Sequence, residues 1–469
     1  MTELVATLPP RAADDPRAYA QAVADAGGDL IEVRGDLTPQ LAPFDSPVPI
    51  LASPRGGDLA AVIANGVAWI DQEAHEPRIE ARGARRIASH HDHERCPTAD
   101  ELIAIGRSLR AGTGVELVKI AAHAASARDL EALDAARRTL EVDGPTTVLA
   151  MGPFAELDRV RSPWRNALTY AALEERDAAA PGQLTLRDHR RFRGPDSPRV
   201  YGLLGGPEAC ARSASPVFFT HLFGALGNDG ASVERAYLRF PSVDAAADLP
   251  ALERLGVHGL SVTAPHKPAA AAFVRARHGQ LSPDAQRAGA LNTLVFDERP
   301  LGHQFDSAGL ELGYRDLGPR APVAVVGSGG VVPAVLIAAQ RLGWREVTIF
   351  ARDAAARSAL SARFDAEHAP LEALADAAPA LVVWALPVDA DAIALPPAAQ
   401  GGAAFLDLRY GGETGALARA ARAGYAVRDG GAMLVHQALA QFAAFTGREP
   451  GPDDARALFA LLEDFSATR

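Results

Sequence analysis

Residues 115–122 read VELVKIAA, an apolar run with a lysine, Lys119, set inside it. It is one of eight such runs before residue 190: LVATLP, DLIEVRGD, VPILASP, VAWIDQE, RRIASHH, VELVKIAA, TTVLAMG and GQLTLRD, parted by stretches of helical length. Repeated βα units follow from that alternation, and an α/β fold with an N-terminal (β/α)8 barrel is the direct way to close eight of them. An open doubly wound sheet is the rival. Polar residues end the runs: Glu32 and Arg34, Arg55, Glu73, His91, Lys119, Met151 with nearby Arg159, and Gln183. Strand C-terminal ends are where such a barrel builds its active site.

The chain has 469 residues, enough for about three domains at roughly 150 residues each. Hydrophobic residues make up 48% and charged residues 22%, an ordinary globular balance that excludes a disordered scaffold. Lys+Arg 47 against Asp+Glu 58 gives a net charge of −11, which repels phosphate backbones and anionic lipid and argues against nucleic acid as a general partner. No stretch reaches the roughly 20 apolar residues of a membrane span, and the N-terminus has no basic region followed by an apolar run. Two cysteines, Cys96 and Cys210, supply neither a disulfide framework nor a thiolate metal cluster, so a reducing cytoplasm is the expectation.

An ammonium buried in an apolar run costs several kcal/mol unless its pKa falls. Desolvation beside other cations can free such an amine to attack a ketone and form a Schiff base. The plain alternative is a strand-end lysine reaching solvent. His90, His91, Asp92 and His93 end another run, just before Thr98-Ala-Asp-Glu101, the pattern of a helix capping box. A zinc site is a rival use of these histidines, but no fourth ligand has metal-like spacing.

These segments resemble the type I 3-dehydroquinate dehydratase family over nearly all of residues 1–190. The matching residues are Glu32 and Arg34 in IEVRGD, Arg55, His91 in SHHD, Lys119 in VKIA, Arg159 in AELDR, and Gln183 closing APGQ. The resemblance implies that Lys119 forms an imine with the substrate ketone and that His91 removes the α-proton and then assists departure of water. It implies that Arg159, with Arg55, Arg34 and Gln183, holds carboxylate and hydroxyls, work suited to guanidinium forks. One departure matters: the family's glutamate just before a Gly-Gly pair, which supports the histidine, is missing from Arg55-Gly56-Gly57-Asp58. Either Asp58 or Glu32 substitutes, or the histidine is less well oriented. The domain is also compact, so one or more outer helices should be short.

Beyond an Arg-, Gly- and Pro-rich boundary near residues 190–198, GLSVTAPHK ends in Thr263, Pro265, His266 and Lys267, and an isolated Asp306 stands in GHQFDSAG. A Lys–Asp pair is often only a surface salt bridge; in a cleft it can pass a proton to or from a carbinol oxygen. Residues 199–469 resemble the shikimate dehydrogenase family. The motifs are Arg212-Ser213-Ala214-Ser215-Pro216, SVTAPHK (Ser261 to Lys267), GALNT (Gly289 to Thr293), Tyr410 in the family's DxxY context, and GGAMLVHQALAQF with Gln437. By that resemblance Lys267 and Asp306 are the catalytic pair and Ser213 and Ser215 bind the substrate carboxylate. Thr263, Asn292, Tyr410 and Gln437 address its hydroxyls. Departures at Phe219-Thr220, Gln304-Phe305 and Trp384 to Pro387 replace polar contacts with bulk. They leave shikimate against quinate preference open.

Gly327-Ser328-Gly329-Gly330-Val331-Val332 follows the strand VAVV and opens a helix, the context in which backbone N–H groups receive a pyrophosphate. A tight strand-to-helix turn is the bland alternative. After the next strand, EVTIFARD, Arg352 offers a guanidinium where an NAD site carries an acid, which favours NADP; Asp353 is what speaks for NAD.

The expected organisation is a barrel over 1–193, a substrate-binding domain over 199–318 completed by a C-terminal helix at 432–469, and a Rossmann domain over 319–431. Together the resemblances imply a bifunctional enzyme that dehydrates 3-dehydroquinate and reduces 3-dehydroshikimate to shikimate with NADPH. The rival from another class is a metabolite-sensing protein that keeps both folds without turnover.

Overall fold

The computed structural model of the chain describes residues 2–180, 183–192, 197–226, 234–398, 402–412 and 414–467. Part of the boundary at 190–198 and the Pro181-Gly182 pair of APGQ lie outside the described residues. By contacts the chain forms two units, Met1–Val200 with Phe223–Val257, and Tyr201–Leu222 with His258–Arg469.

Eight parallel strands make the first unit's sheet: β1 (Glu3–Thr7), β2 (Leu30–Arg34), β3 (Ile50–Ser53), β4 (Trp69–Glu73), β5 (Arg85–Asp92), β6 (Val115–His123), β7 (Thr146–Met151) and β8 (Leu168–Ala171). They run in the order β7-β6-β5-β4-β3-β2-β1-β8. Period-2 alternation sorts the two faces. Val5, Leu30, Leu51, Trp69, Ile87, Leu117, Leu149 and Tyr170 pack together inside, while Leu4, Ala6, Ile31, Val33 and Ala52 pack in a second cluster with helix residues such as Tyr19, Ala20 and Val23.

Seven of the eight expected strands fall on their runs. The eighth does not: β8 is Leu168–Ala171, and among the described residues of GQLTLRD only Thr185 bridges to Ala172 before a helix begins at Leu186. Thr185 caps that helix by accepting from Asp188 N, so the polar end of the run starts a helix instead of a strand.

Side chains close the seam between β7 and β8. Thr147 Oγ1 accepts from Leu168 N at 3.0 Å and donates to Leu168 O at 3.2 Å. The Asn166 amide pairs with both N and O of Val148, at 3.1 and 3.0 Å, as a strand residue would.

The outer layer is reduced, as the compact length predicts. Its helices are α1 (Pro16–Asp25), the five-residue α2 (Ala60–Ala64), α3 (Ala99–Arg110), α4 (Ala127–Asp143), α5 (Ala155–Arg165) and α6 (Leu186–Arg191). No helix separates β2 from β3 or β4 from β5. The expected capping box opens α3, with Thr98 and Glu101 bonded reciprocally.

After β9 (Arg199–Gly205), α7 (Pro207–Arg212) and α8 (Ser215–Gly224) come β10 (Arg235–Pro241) and α9 (Ala245–Arg254). These last two group with the barrel by contact, although the sequence places them in the substrate domain. The reason is polar as well as apolar. Asp248 accepts from Ala127 N at the start of α4, and Arg161 on α5 donates to Leu255 O and Gly256 O at the end of α9.

The second unit holds β9, β11 (Val257–Val262), β13 (Thr293–Val295), β14 (Leu301–His303) and β12 (Gln280–Leu281), side by side in that order. Three helices accompany them: α10 (Lys267–Ala276), α11 (Pro283–Ala288) and α12 (Asp306–Gly313). A parallel sheet follows, built from β15 (Val323–Val326), β16 (Val347–Ala351), β17 (Glu367–Pro370), β18 (Leu381–Trp384), β19 (Ala404–Asp407) and β20 (Ala426–Arg428). Its order β17-β16-β15-β18-β19-β20 reverses between β15 and β18, the switch point at which doubly wound sheets bind ligands. The intervening helices are α13 (Val332–Leu342), α14 (Ala354–Phe364) and α15 (Gly415–Arg422).

The single C-terminal helix expected at 432–469 is two, α16 (Gly431–Thr446) and α17 (Pro452–Ala467). Gly447 ends the first with φ 71°, and Pro450 and Gly451 keep the chain from continuing it. No helix of the described residues is long and apolar enough to cross a membrane.

Candidate active sites

At the C-terminal end of the barrel a cavity of about 470 Å³ is lined by Glu32, Arg34, Arg55, His91, Lys119, Arg159 and Gln183, the barrel residues that carry the family resemblance. A larger cavity, about 1050 Å³, opens at the N-terminal strand ends beside Trp69, Leu117 and Leu168, and no lysine or histidine lines it. The groups able to act as nucleophile and as acid or base line the smaller one.

Lys119 is 3% exposed on the inner face of β6, and its Nζ donates to Asp71 Oδ2 at 2.7 Å. The Tyr170 ring lies under the same nitrogen, 4.0 Å from its centroid. The buried lysine is thus held by an acid as well as by desolvation. Burial alone would raise the Asp71 carboxyl; Lys119 and then Arg55 outweigh it and hold the group below its usual value.

His91 Nδ1 donates to Glu73 Oε1, which fixes the proton on that nitrogen. The Nε2 lone pair then faces Arg55 Nη2 at 3.0 Å. Burial lowers the imidazole, the charges of Lys119 and Arg55 add to this, and the Glu73 bond opposes them, leaving His91 below its ordinary value.

The expected substitutes for the missing glutamate are engaged elsewhere. Asp58 Oδ1 accepts from Ala60 N, and Glu32 accepts from Thr7 and Ser53 at 2.7 and 2.9 Å. Glu73 does the work because it is on the strand adjacent to His91: Glu73 pairs with Ser89 in register, two residues before the histidine. Parity held the signal. Trp69, Asp71 and Glu73 alternate on one face of β4, so a buried Trp69 brings both acids inward.

Arg55 adopts φ 46°, a left-handed conformation that costs a non-glycine residue about 1–3 kcal/mol. It is held there because the loops after β2 and β3 meet backbone to backbone, where a Cβ on Gly35 or Gly57 would collide with the other. Arg159, 4% exposed on α5, has no partner for its buried Nε, so its guanidinium has capacity left for an incoming carboxylate. Burial lowers its pKa against the pull of Asp158. Arg34 pairs with Asp36 at 2.6 Å, and Gln183 Oε1 accepts from Ala179 N.

In the second unit Lys267 begins α10 and Asp306 begins α12; Nζ donates to Oδ2 at 2.5 Å. Asn292 Nδ2 donates to Asp306 Oδ1 at 2.9 Å and to Gln437 Oε1 at 2.8 Å, so four predicted residues form one bonded cluster. Sequence reading missed its support. Gln441, one helical turn past Gln437, donates to Asn292 O and accepts from Ser261, both buried.

Ser213 and Ser215 are buried near the start of α8, where Ser213 Oγ accepts from Ser215 N at 3.2 Å. Thr263 follows β11, and Tyr410 follows β19 half-buried. Of the bulky departures Phe219 is core, packing on Phe445 with ring centroids 5.6 Å apart, whereas Phe305 is half-buried and stacks on His303.

Between β15 and β18 a cleft of about 520 Å³ is lined by Gly327, Ser328, Gly329, Arg352 and Asp353. Gly327 has φ 124° and passes close to Ala385 O, so only glycine fits. A Cβ on Gly329 or Gly330 would meet nothing within 4 Å, which leaves open space over the start of α13. Val331 caps that helix and Val332 opens it. Among the described residues the N–H groups of Gly329, Gly330 and Val331 have no backbone acceptor, as a pyrophosphate cradle requires. Asp353 caps α14 by accepting from Ala356 N at 3.0 Å, whereas Arg352 is exposed at the cleft. The acid that speaks for NAD is committed, and the guanidinium fits a 2′-phosphate.

Fold and sites together define a two-part enzyme: a barrel with a buried amine, then a nucleotide-dependent oxidoreductase unit. The family model of type I 3-dehydroquinase matches residues 57–193, and that of the shikimate dehydrogenase substrate binding domain matches residues 206–294. The shikimate dehydrogenase (NADP(+)) of Acidiphilium cryptum is 35% identical over 272 residues, covering 55% of this chain and 94% of that protein. The chloroplastic bifunctional 3-dehydroquinate dehydratase/shikimate dehydrogenase of Arabidopsis thaliana is 26% identical over 378 residues, covering 68% of this chain and 60% of that protein. The solved dehydroquinate dehydratase and shikimate dehydrogenase of S. pombe AroM is 20% identical, with a TM-score of 0.43 and 98% of each chain covered. This chain belongs to the shikimate dehydrogenase family and carries a type I 3-dehydroquinase domain ahead of it.

Proposed function

We propose that the chain performs two successive reactions, dehydration of 3-dehydroquinate and NADPH-dependent reduction of the resulting 3-dehydroshikimate to shikimate. The observation that carries this reading is the meeting of Lys119, His91 and Arg159 in one barrel-mouth cavity on the chain that also bonds Lys267 to Asp306. A pure binding protein gains nothing from either lysine–acid pair, and Glu73 answers the missing glutamate, one of the two departures, with the altered motifs, on which the sensor reading rested.

In the first reaction Arg159 receives the substrate carboxylate, and Arg55, Arg34 and Gln183 address its hydroxyls. Lys119 Nζ attacks the ketone and water leaves, giving an iminium that acidifies the neighbouring C–H. His91 Nε2 takes that proton, an enamine forms, and the imidazolium returns the proton to the departing β-hydroxyl. Hydrolysis of the conjugated iminium frees Lys119 and the enone. Glu73 keeps the accepting lone pair on Nε2 and stabilises the imidazolium.

In the second reaction bound NADPH supplies the hydride, and Gly327 to Val331 with Arg352 would hold it. Lys267 gives a proton to the carbonyl oxygen, Asp306 holds the lysine charge, and Asn292 and Gln437 fix both. Ser213 and Ser215 bind the carboxylate, and Thr263 and Tyr410 bind hydroxyls. The proposed domains are 1–193 for the dehydratase, 199–318 with the C-terminal helices for the substrate-binding part, even though β10 and α9 group with the barrel by contact, and 319–431 for the nucleotide.

The test mixes the protein with 3-dehydroquinate alone and follows the conjugated enone absorbance, then adds NADPH and follows its oxidation. Both signals are expected. Enone without NADPH loss would remove the second activity from the proposal, and silence in both would remove the whole.

A further inference from the structure

Forming an imine from a lysine requires an acceptor for one ammonium proton before nitrogen has a lone pair to attack with. The barrel offers few candidates. His91 has Nδ1 bonded to Glu73 and Nε2 facing Arg55 at 3.0 Å, so neither ring nitrogen is free for Lys119 in this structure. Glu73 is taken by His91, and Tyr170 presents its ring face to Nζ. Asp71 is different. It is 2% exposed, its Oδ2 is 2.7 Å from Nζ, and Arg55 Nη2 stands 3.9 Å from the same oxygen. The pull that keeps Asp71 ionised comes first from Lys119, so it weakens as the ammonium gives up its proton, and a carboxylate in direct hydrogen-bond contact with the ammonium can take that proton.

On the reading that Lys119 forms the imine, we propose that Asp71 is a catalytic proton shuttle, taking the proton of the Lys119 ammonium and giving it back to the leaving water. The atoms balance. Lys119 begins as –NH3⁺ against Asp71 –COO⁻. One proton moves from Nζ to Asp71, and the freed lone pair bonds to the carbonyl carbon while the C=O π bond breaks onto oxygen. A second N–H proton passes to that oxygen, giving the neutral carbinolamine. Asp71 then returns its proton to the hydroxyl, the C–O bond breaks, water leaves, and nitrogen closes the C=N⁺ bond with one N–H remaining. Ammonium and iminium each carry one positive charge, so Asp71 ends as it began, a buried carboxylate opposite a cation, and no charge has crossed the site.

The alternative is that Asp71 only holds Lys119 in place. The two separate in one experiment, borohydride trapping of the imine on Lys119 read by mass spectrometry against time. Trapping in Asp71→Asn and Asp71→Ala should be slower by about 100-fold or more, the ordinary range for a lost acid–base group. Added formate should restore Asp71→Ala at least tenfold, while chloride at the same ionic strength should not. Trapping at the wild-type rate in Asp71→Asn, or equal rescue by chloride and formate, would overturn the proposal. If the variants do not fold, the wild type decides. Its trapping rate should be independent of buffer concentration, because the proton stays within the pair, and buffer-accelerated trapping would overturn it. A wild type that is never labelled at Lys119 but still makes enone would sink the imine mechanism itself, a different failure.

Discussion

Glu73, the last residue of β4, accepts the Nδ1 proton of His91 on the adjacent strand β5, and that single bond sets which imidazole nitrogen carries the lone pair, Nε2, which Arg55 faces. Replacing Glu73 with Gln should lower kcat of the dehydratase by about 100-fold with little change in KM, because it removes orientation and imidazolium stabilisation but no substrate contact. The pH profile has a definite sign. His91 already lies below its ordinary value and Glu73 pulls it upward, so losing the carboxylate should move the acid limb of kcat to still lower pH. A limb that moves upward would contradict the assignment.

Arg159→Ala should raise KM for 3-dehydroquinate far more than it lowers kcat. A buried guanidinium with an unpartnered Nε makes charge-assisted bonds worth about 1.5–3 kcal/mol each, or about 10- to 150-fold in binding. Steady-state kinetics by enone absorbance checks the split.

The two halves should fail separately. Lys267→Met and Asp306→Asn should each cut NADPH oxidation by about 10²- to 10⁴-fold while leaving enone formation untouched. Lys119→Met should do the reverse when 3-dehydroshikimate is supplied directly. Loss of both activities in any one variant would point to misfolding instead.

Cofactor preference should respond to Arg352→Ala. The side chain is exposed, so its pairing with a 2′-phosphate is screened and worth about 1 kcal/mol; KM for NADPH should rise about 3- to 10-fold and KM for NADH should stay where it is. Comparing the two cofactors at fixed substrate measures it.

Arg161 is 5% exposed and donates to the last two carbonyls beyond α9, and burial depresses its pKa to about 10. Arg161→Ala leaves those carbonyls unpaired and should lower the stability of the barrel unit by about 1–3 kcal/mol, read as an earlier urea midpoint of dehydratase activity.

Much of this was legible in the chain. Seven strands lie on apolar runs because inward and outward residues alternate in a way that survives in one dimension, and of the polar strand-end residues all but Glu73 line the barrel-mouth cavity. The eighth strand escaped because Leu168–Ala171 is four residues long and its neighbour in the seam is bonded by Thr147 and Asn166 side chains, which carry no periodicity. The C-terminal break at Gly447 was written in its Gly and Pro residues, yet the helical stretches on either side hid it.

Sequence alone determined the two-part organisation and the NADP choice and pointed to the two lysines that the proposed reactions use, because each rests on residue types that few other chemistries need. The partners of those lysines and of His91 were decided in three dimensions. Asp71 and Glu73 stand far from Lys119 and His91 along the chain and meet them only because parallel strands in register set residues of one parity against each other inside a closed barrel. Buried charges attract at that range whatever their separation in sequence, and the side-by-side pairing of β4, β5 and β6 is what brings them within it.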